Sequence, residues 1–251
     1  MFVACEEERA RCSSVAGIFI PVSPKTFVAM DFALIREISL PIHIGIGIAI
    51  LLLGATQLVL RKGGKLHQRL GRLYVWAMLI SFLTSFPASI YTGKIFLSLI
   101  GIFSLYLAFT GYRFAVIKES GRVARIDRLA SGIFLFVAAG MLAFAAYAFF
   151  QLSATSGIIL GVFGLIFLLG AFQDARHLLF RNNSASYFAN RQWLRLHIGR
   201  IIGSYIAAVT AFLVNVAPFG SHLINWLLPT AVGMMLMVRF NRRYAPSSPK
   251  N

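Results

Sequence analysis

This sequence predicts an all-α fold, a polytopic bundle of about seven transmembrane helices, and three observations predict it. Hydrophobic residues make up 58% of the 251 and the mean hydropathy is +0.77, outside the range of soluble domains. Apolar stretches recur at close to the roughly 20 residues that a helix needs to cross about 30 Å of hydrocarbon. Lysine and arginine gather in alternate connections between those stretches, as they do in multi-pass proteins.

The spans are predicted at 41–60, 73–90, 95–117, 129–150, 157–178, 194–217 and 223–240. Between the second and third, Tyr91-Thr92-Gly93-Lys94 makes a very short turn. Of the 24 basic residues, 19 fall on one side of the membrane, from Arg61, Lys62, Lys65, Arg69 and Arg72 through to Arg239, Arg242, Arg243 and Lys250. Lys94 and the four basic residues before the first span occupy the other side. The positive-inside rule therefore predicts an external N-terminus, a cytoplasmic C-terminus and a multi-pass protein of the inner (plasma) membrane. The net charge of +16, which would suggest a nucleic-acid surface in a soluble protein, is explained by these loops. The expected partners are membrane lipids, through anionic headgroups at the cytoplasmic face, and not nucleic acid.

Residues 1–30 read as a leader, either disordered or an over-long gene model. The apolar run from Val15 to Val22 is too short to span, and Glu6-Glu7-Glu8 sits where a signal peptide would be positive. Met30 opens a more natural start. Residues 31–244 form one transmembrane domain, and the Pro/Ser-rich tail 245–251 is expected to be disordered. Cys5 and Cys12 both precede the first span and match no metal-binding spacing.

Ionisable groups in a bilayer are costly unless paired, so their placement points to sites. The topology puts His43 and His222 at the outer level and His67, His177 and His197 at the inner level. At 100° per residue, His197, Ser204 and Asn215 fall on one line of the sixth span, with Arg200 about 60° away. Gly199, Gly203, Ala207 and Ala211 form a second stripe, whose usual meaning is close helix packing. In the first span, His43, Gly47, Gly54, Gln57 and Arg61 share a face. Gly170, Asp174 and His177 share one in the fifth, where Asp174 needs a cationic partner such as Arg176, Arg200 or His177. The bland reading of each histidine is a solvated helix end, and topology alone accounts for the basic loops.

The segment Gly64-Lys65-Leu66-His67-Gln68-Arg69-Leu70-Gly71-Arg72-Leu73-Tyr74 resembles a family of prokaryotic membrane proteins grouped under a domain of unknown function, DUF2306. His43 entering the preceding span and His197-x-x-Arg200 followed by Ser204-Tyr205 add to the likeness, which covers roughly residues 41–217. The resemblance implies the helical architecture and draws attention to His43, His67, Arg72, His197 and Arg200. It implies no reaction.

Three functional readings follow. One is a haem b protein for transmembrane electron transfer or quinone redox chemistry. It would use His67 with His197 or His177 on the inner side, His43 with His222 on the outer side, and Arg72 and Arg200 for propionates. Gly47 and Gly54 would clear space for the macrocycle. A second is a polar-solute or ion transporter lined by His197, Ser204, Asn215 and Gln57. A third is a zinc-dependent intramembrane hydrolase with His67, His177, His197 and Asp174 around the metal. A non-catalytic assembly protein is the remaining alternative. The topology is directly testable: reporter fusions after Lys65, Arg125, Arg191 and Lys250 are expected to report cytoplasm, and those near Gly93, Ser153 and Gly220 the outside. A cytoplasmic signal at Gly220 with an external one at Lys250 would remove the seventh span.

Overall fold

A computed structural model describes residues 12–15, 18–21, 24–91, 93–120, 122–178, 192–216 and 218–244. Side chains are described from Glu37 onward, apart from those of Glu119, Ser120, His177 and His222. A short antiparallel hairpin, β1 (Cys12–Val15) and β2 (Ile18–Pro21), precedes the helices. Among the described residues the helices are α1 (Pro24–Val59), α2 (Lys65–Tyr91), α3 (Ile95–Ser120), α4 (Arg125–Gln151), α5 (Ala154–Leu178), α6 (Gln192–Val216) and α7 (His222–Tyr244). Each contains a stretch long and apolar enough to cross a membrane. Their outward faces carry large apolar side chains such as Leu52, Phe136 and Phe150, which water would penalise and lipid accepts. The chain is a multi-pass membrane protein.

The helix boundaries differ from expectation in informative places. The first helix runs back through Met30 to Pro24, while residues 1–11 and 245–251 lie outside the described residues. The second helix starts at Lys65 rather than 73, so His67 stands in its first turn and not in a loop. Hydropathy misses such a start because the first two turns are polar. What sets the boundary is Gly63, whose φ of +79° turns the chain sharply after α1. Likewise α4 begins at Arg125 rather than 129, which brings Asp127 into a helix.

Tight turns make sequence neighbours antiparallel. The turn from α2 to α3 closes with Lys94 N–H donating to Ser89 O at 2.8 Å, around Gly93 at a φ of +69°. The ends of α1, α3, α5 and α7 and the starts of α2, α4 and α6 thus gather at one end of the bundle. It bears Arg61, Lys62, Lys65, Arg69, Lys118, Arg125, Arg128, Arg195, Arg239, Arg242 and Arg243, and is called the basic end below.

α6 is the hub of the packing, for it lies against α1, α3 and α7 and also reaches α2 and α5 through polar side chains. Its small residues allow this. Leu107 of α3 seats against Gly203, Met237 of α7 against Gly199, and Ile206 against Gly233 of α7. The half of the bundle away from the basic end is filled by Phe103, Ile159, Leu160, Phe163 and Trp226.

Candidate functional site

The deepest polar feature is a buried ion pair. Arg200 of α6 donates through Nη2 to Asp174 Oδ1 of α5 at 3.0 Å and to Gly170 O at 2.9 Å. Tyr106 of α3 donates its hydroxyl to Asp174 Oδ2 at 2.6 Å, and its ring lies 4.9 Å below the guanidinium carbon. Asp174 is 0% exposed and Arg200 8%. A lone charge at this depth would cost several kcal/mol, so each group is held in place by the need of the other. The local sequence makes room for it. A Cβ at Gly170 would collide with the guanidinium and the Tyr106 hydroxyl, and one at Gly111 would collide with Arg200 Cβ and Ile201.

One turn earlier on α6, His197 Nδ1 lies 2.8 Å from Gly111 O. A carbonyl can only accept, so Nδ1 carries the proton and a neutral ring presents its lone pair at Nε2. The His67 ring stands 6.5 Å away, centroid to centroid, at 75° to it. His67 Nδ1 is buried with no hydrogen-bond partner among the described residues, and so is Gln57 Oε1 beside it. Gln57 Nε2 donates to His67 O at 3.0 Å, fastening the start of α2 to the end of α1. Lys62 caps that same end of α1 through Gln57 O at 2.6 Å and Leu58 O at 2.9 Å, and burial lowers its pKa. One turn deeper than Arg200, Tyr74 and Ser204 share a hydrogen bond of 2.9 Å that joins α2 to α6.

A second ion pair lies closer to the basic end. Arg113 of α3 grips Asp127 of α4 with two bonds, 2.5 Å from Nε and 2.8 Å from Nη2, and Asp127 also accepts from Ala124 N–H at 2.8 Å. Asp127 and Asp174 border one void of about 10 Å³ that Ser131 also lines, its buried hydroxyl without a partner among the described residues. That volume holds one water and no substrate.

The structure thus brings together His67, His197, Arg200 and Asp174, and of the other expected residues with described side chains it places Arg72 and His43 elsewhere. His177 belongs to the last turn of α5, with its side chain outside those described. Arg72 is exposed, because the helical start of α2 turns it outward. His43 is half-buried against α2, its Nδ1 3.1 Å from Ser81 O, where it fastens α1 to α2. The side chain of His222 also lies outside those described. Asn215 is exposed and donates to Ala211 O at 2.8 Å, so the polar face of α6 stops short of its far end. An amide satisfied by its own helix does not have to face the bundle. Gly54 gives no clearance either: the Tyr205 ring fills its face, with the hydroxyl 3.3 Å from Leu51 O. As for zinc, Asp174 turns both carboxylate oxygens to Arg200 and Tyr106, and no group of three metal-ligating residues forms among the described residues.

Sequence reasoning missed Tyr106, Tyr74, Gly111 and the Arg113–Asp127 pair. Only the last had a signal, namely an acid three residues past Ala124 at a helix start. No family of known proteins matches the chain, and neither a curated protein nor a solved structure matches it.

The two buried tyrosines give a graded test. Tyr106→Phe keeps the ring but removes a bond to a carboxylate, so it is expected to cost about 1.5–3 kcal/mol. Tyr74→Phe leaves Ser204 bonded to Ile201 O at 2.8 Å. That change is expected to cost less, about 0.5–1.5 kcal/mol. Unfolding in mixed micelles measures both, and the reverse order would contradict the network.

Proposed function

We propose that the protein is a membrane electron-transfer protein whose cofactor would be a b-type haem held by His67 and His197. The observation that carries this reading is the 6.5 Å separation of two imidazoles from different helices. Paired histidines from different helices are the usual protein ligands of a b-type haem, and these two would be close enough to hold one iron between them. The nitrogens support it as well. Gly111 O fixes the His197 tautomer that leaves Nε2 unprotonated, and His67 Nδ1 is buried without a partner among the described residues.

The fit covers the two histidines that would hold the group but not the propionate clamp that was expected. Arg200 is committed to Asp174 and Gly170 O, and Arg72 faces outward. Haem iron at this pair would accept and release one electron. The chain's own contribution is to hold the rings: Gly111 O orients His197, Gln57 anchors the turn that carries His67, and the Arg200–Asp174 pair fixes the depth of α6. The apolar packing of Phe103, Phe163 and Trp226 across the opposite half favours this reading over a polar transport path.

The test is to purify the protein from haem-replete cells and record its visible spectrum with its metal content. A Soret band that shifts on reduction is expected, and it is expected to be lost in His67→Ala and in His197→Ala while helix content is retained. Zinc in place of iron, or neither, would overturn the reading.

A further inference from the structure

A different part of the molecule carries an independent inference. On α7, Val232, Met235, Leu236, Arg239, Arg242 and Arg243 follow the spacing of a single helical face, apolar for little more than one turn and then basic to the helix end. All six are exposed. With Val238, also of α7, they line an open, shallow groove of about 780 Å³ that runs along this one helix. The opposite side of α7 is committed to α6, through Met237 at Gly199 and Gly233 at Ile206.

The three arginines have no carboxylate available to them among the described residues. Beyond Glu37, which stands at the far end of the first span, the acids with described side chains are Asp127 and Asp174. Each is already taken, by Arg113 and by Arg200. No described carboxylate neutralises the end of α7, and an anionic headgroup in the bilayer would. The other basic clusters share that need, but this one stands directly below an apolar groove running into the bilayer. A ligand that satisfies both halves is an acyl chain joined to an anionic head.

We propose that this face of α7 is a binding site for one anionic glycerophospholipid, with its phosphate on Arg239, Arg242 and Arg243 and an acyl chain along Val232, Met235 and Leu236. Methionine suits the apolar part, since its unbranched side chain adapts to a mobile chain. The three guanidiniums select charge, and the groove selects a lipid over free phosphate.

Native mass spectrometry of the delipidated full chain tests the site, with phosphatidylglycerol, phosphatidylcholine or inorganic phosphate titrated in. One phosphatidylglycerol adduct is expected, preferred over phosphatidylcholine on the order of a hundredfold if each arginine contributes about fivefold. Arg239→Gln with Arg242→Gln and Arg243→Gln is expected to abolish that preference, while Arg61→Gln with Arg69→Gln leaves it intact. Because the triple change also alters a topology signal, Met235→Trp is the second variant. It keeps every charge, fills the groove, and is expected to weaken phosphatidylglycerol retention at least tenfold. Equal retention of both lipids, competition by phosphate alone, retention unchanged by Met235→Trp, or a dimer in place of the lipid adduct would each overturn the proposal.

Discussion

A guanidinium buried at bilayer depth must find its hydrogen bonds inside the protein, and Arg200 imposes that constraint on the rest of the bundle. Its partners come from two other helices, Asp174 and Gly170 O from α5 and the ring of Tyr106 from α3. Three helices are thereby fixed in depth and rotation relative to one another, which apolar packing in lipid does only weakly. Hydrocarbon side chains gain little on leaving hydrocarbon solvent, so close packing and polar bonds have to set the register. The glycines at 111 and 170 follow from this, since any larger residue at either would push the arginine out.

Once α6 is fixed, the residues one turn to either side acquire their roles. Ser204 meets Tyr74 on the bundle side, and His197 meets Gly111 O at the basic side. Because the same stretch of α3 receives both Arg200 and His197, the ion pair and the histidine pair belong to one polar centre. The second ion pair, Arg113 with Asp127, ties α3 to α4 but contributes nothing to the histidines. Such pairs are not a gain in stability over well-packed apolar residues; their effect is to make one arrangement of helices far better than its neighbours.

Much of this was legible from the sequence, for reasons that also explain what was not. Seven spans are readable because hydropathy is a property of the chain itself. A cluster of His67, Asp174, His177, His197 and Arg200 is readable from their common depth together with the rotation of α5 and α6, and all but His177, whose side chain lies outside those described, meet in the structure. The start of α2 was not, because a polar turn that continues a helix past the hydrocarbon has the composition of a loop. Asn215 was assigned to the interior on phase alone, but its amide is satisfied by Ala211 O of the same helix. Tyr106 carries no sequence mark that separates it from the other aromatic residues of its span. Its contacts with Asp174 and Arg200 distinguish it.

The account rests on Arg200 and Asp174 acting as one unit, and a double-mutant cycle in reversible unfolding measures that directly. Arg200→Met and Asp174→Leu are each expected to cost about 3–5 kcal/mol, because each leaves an unpaired charge in the bundle. Made together they remove both charges, so the double variant is expected to be destabilised far less than the sum, a coupling of several kcal/mol. Additive losses, with a coupling near zero, would contradict the claim that this pair sets the arrangement of α3, α5 and α6.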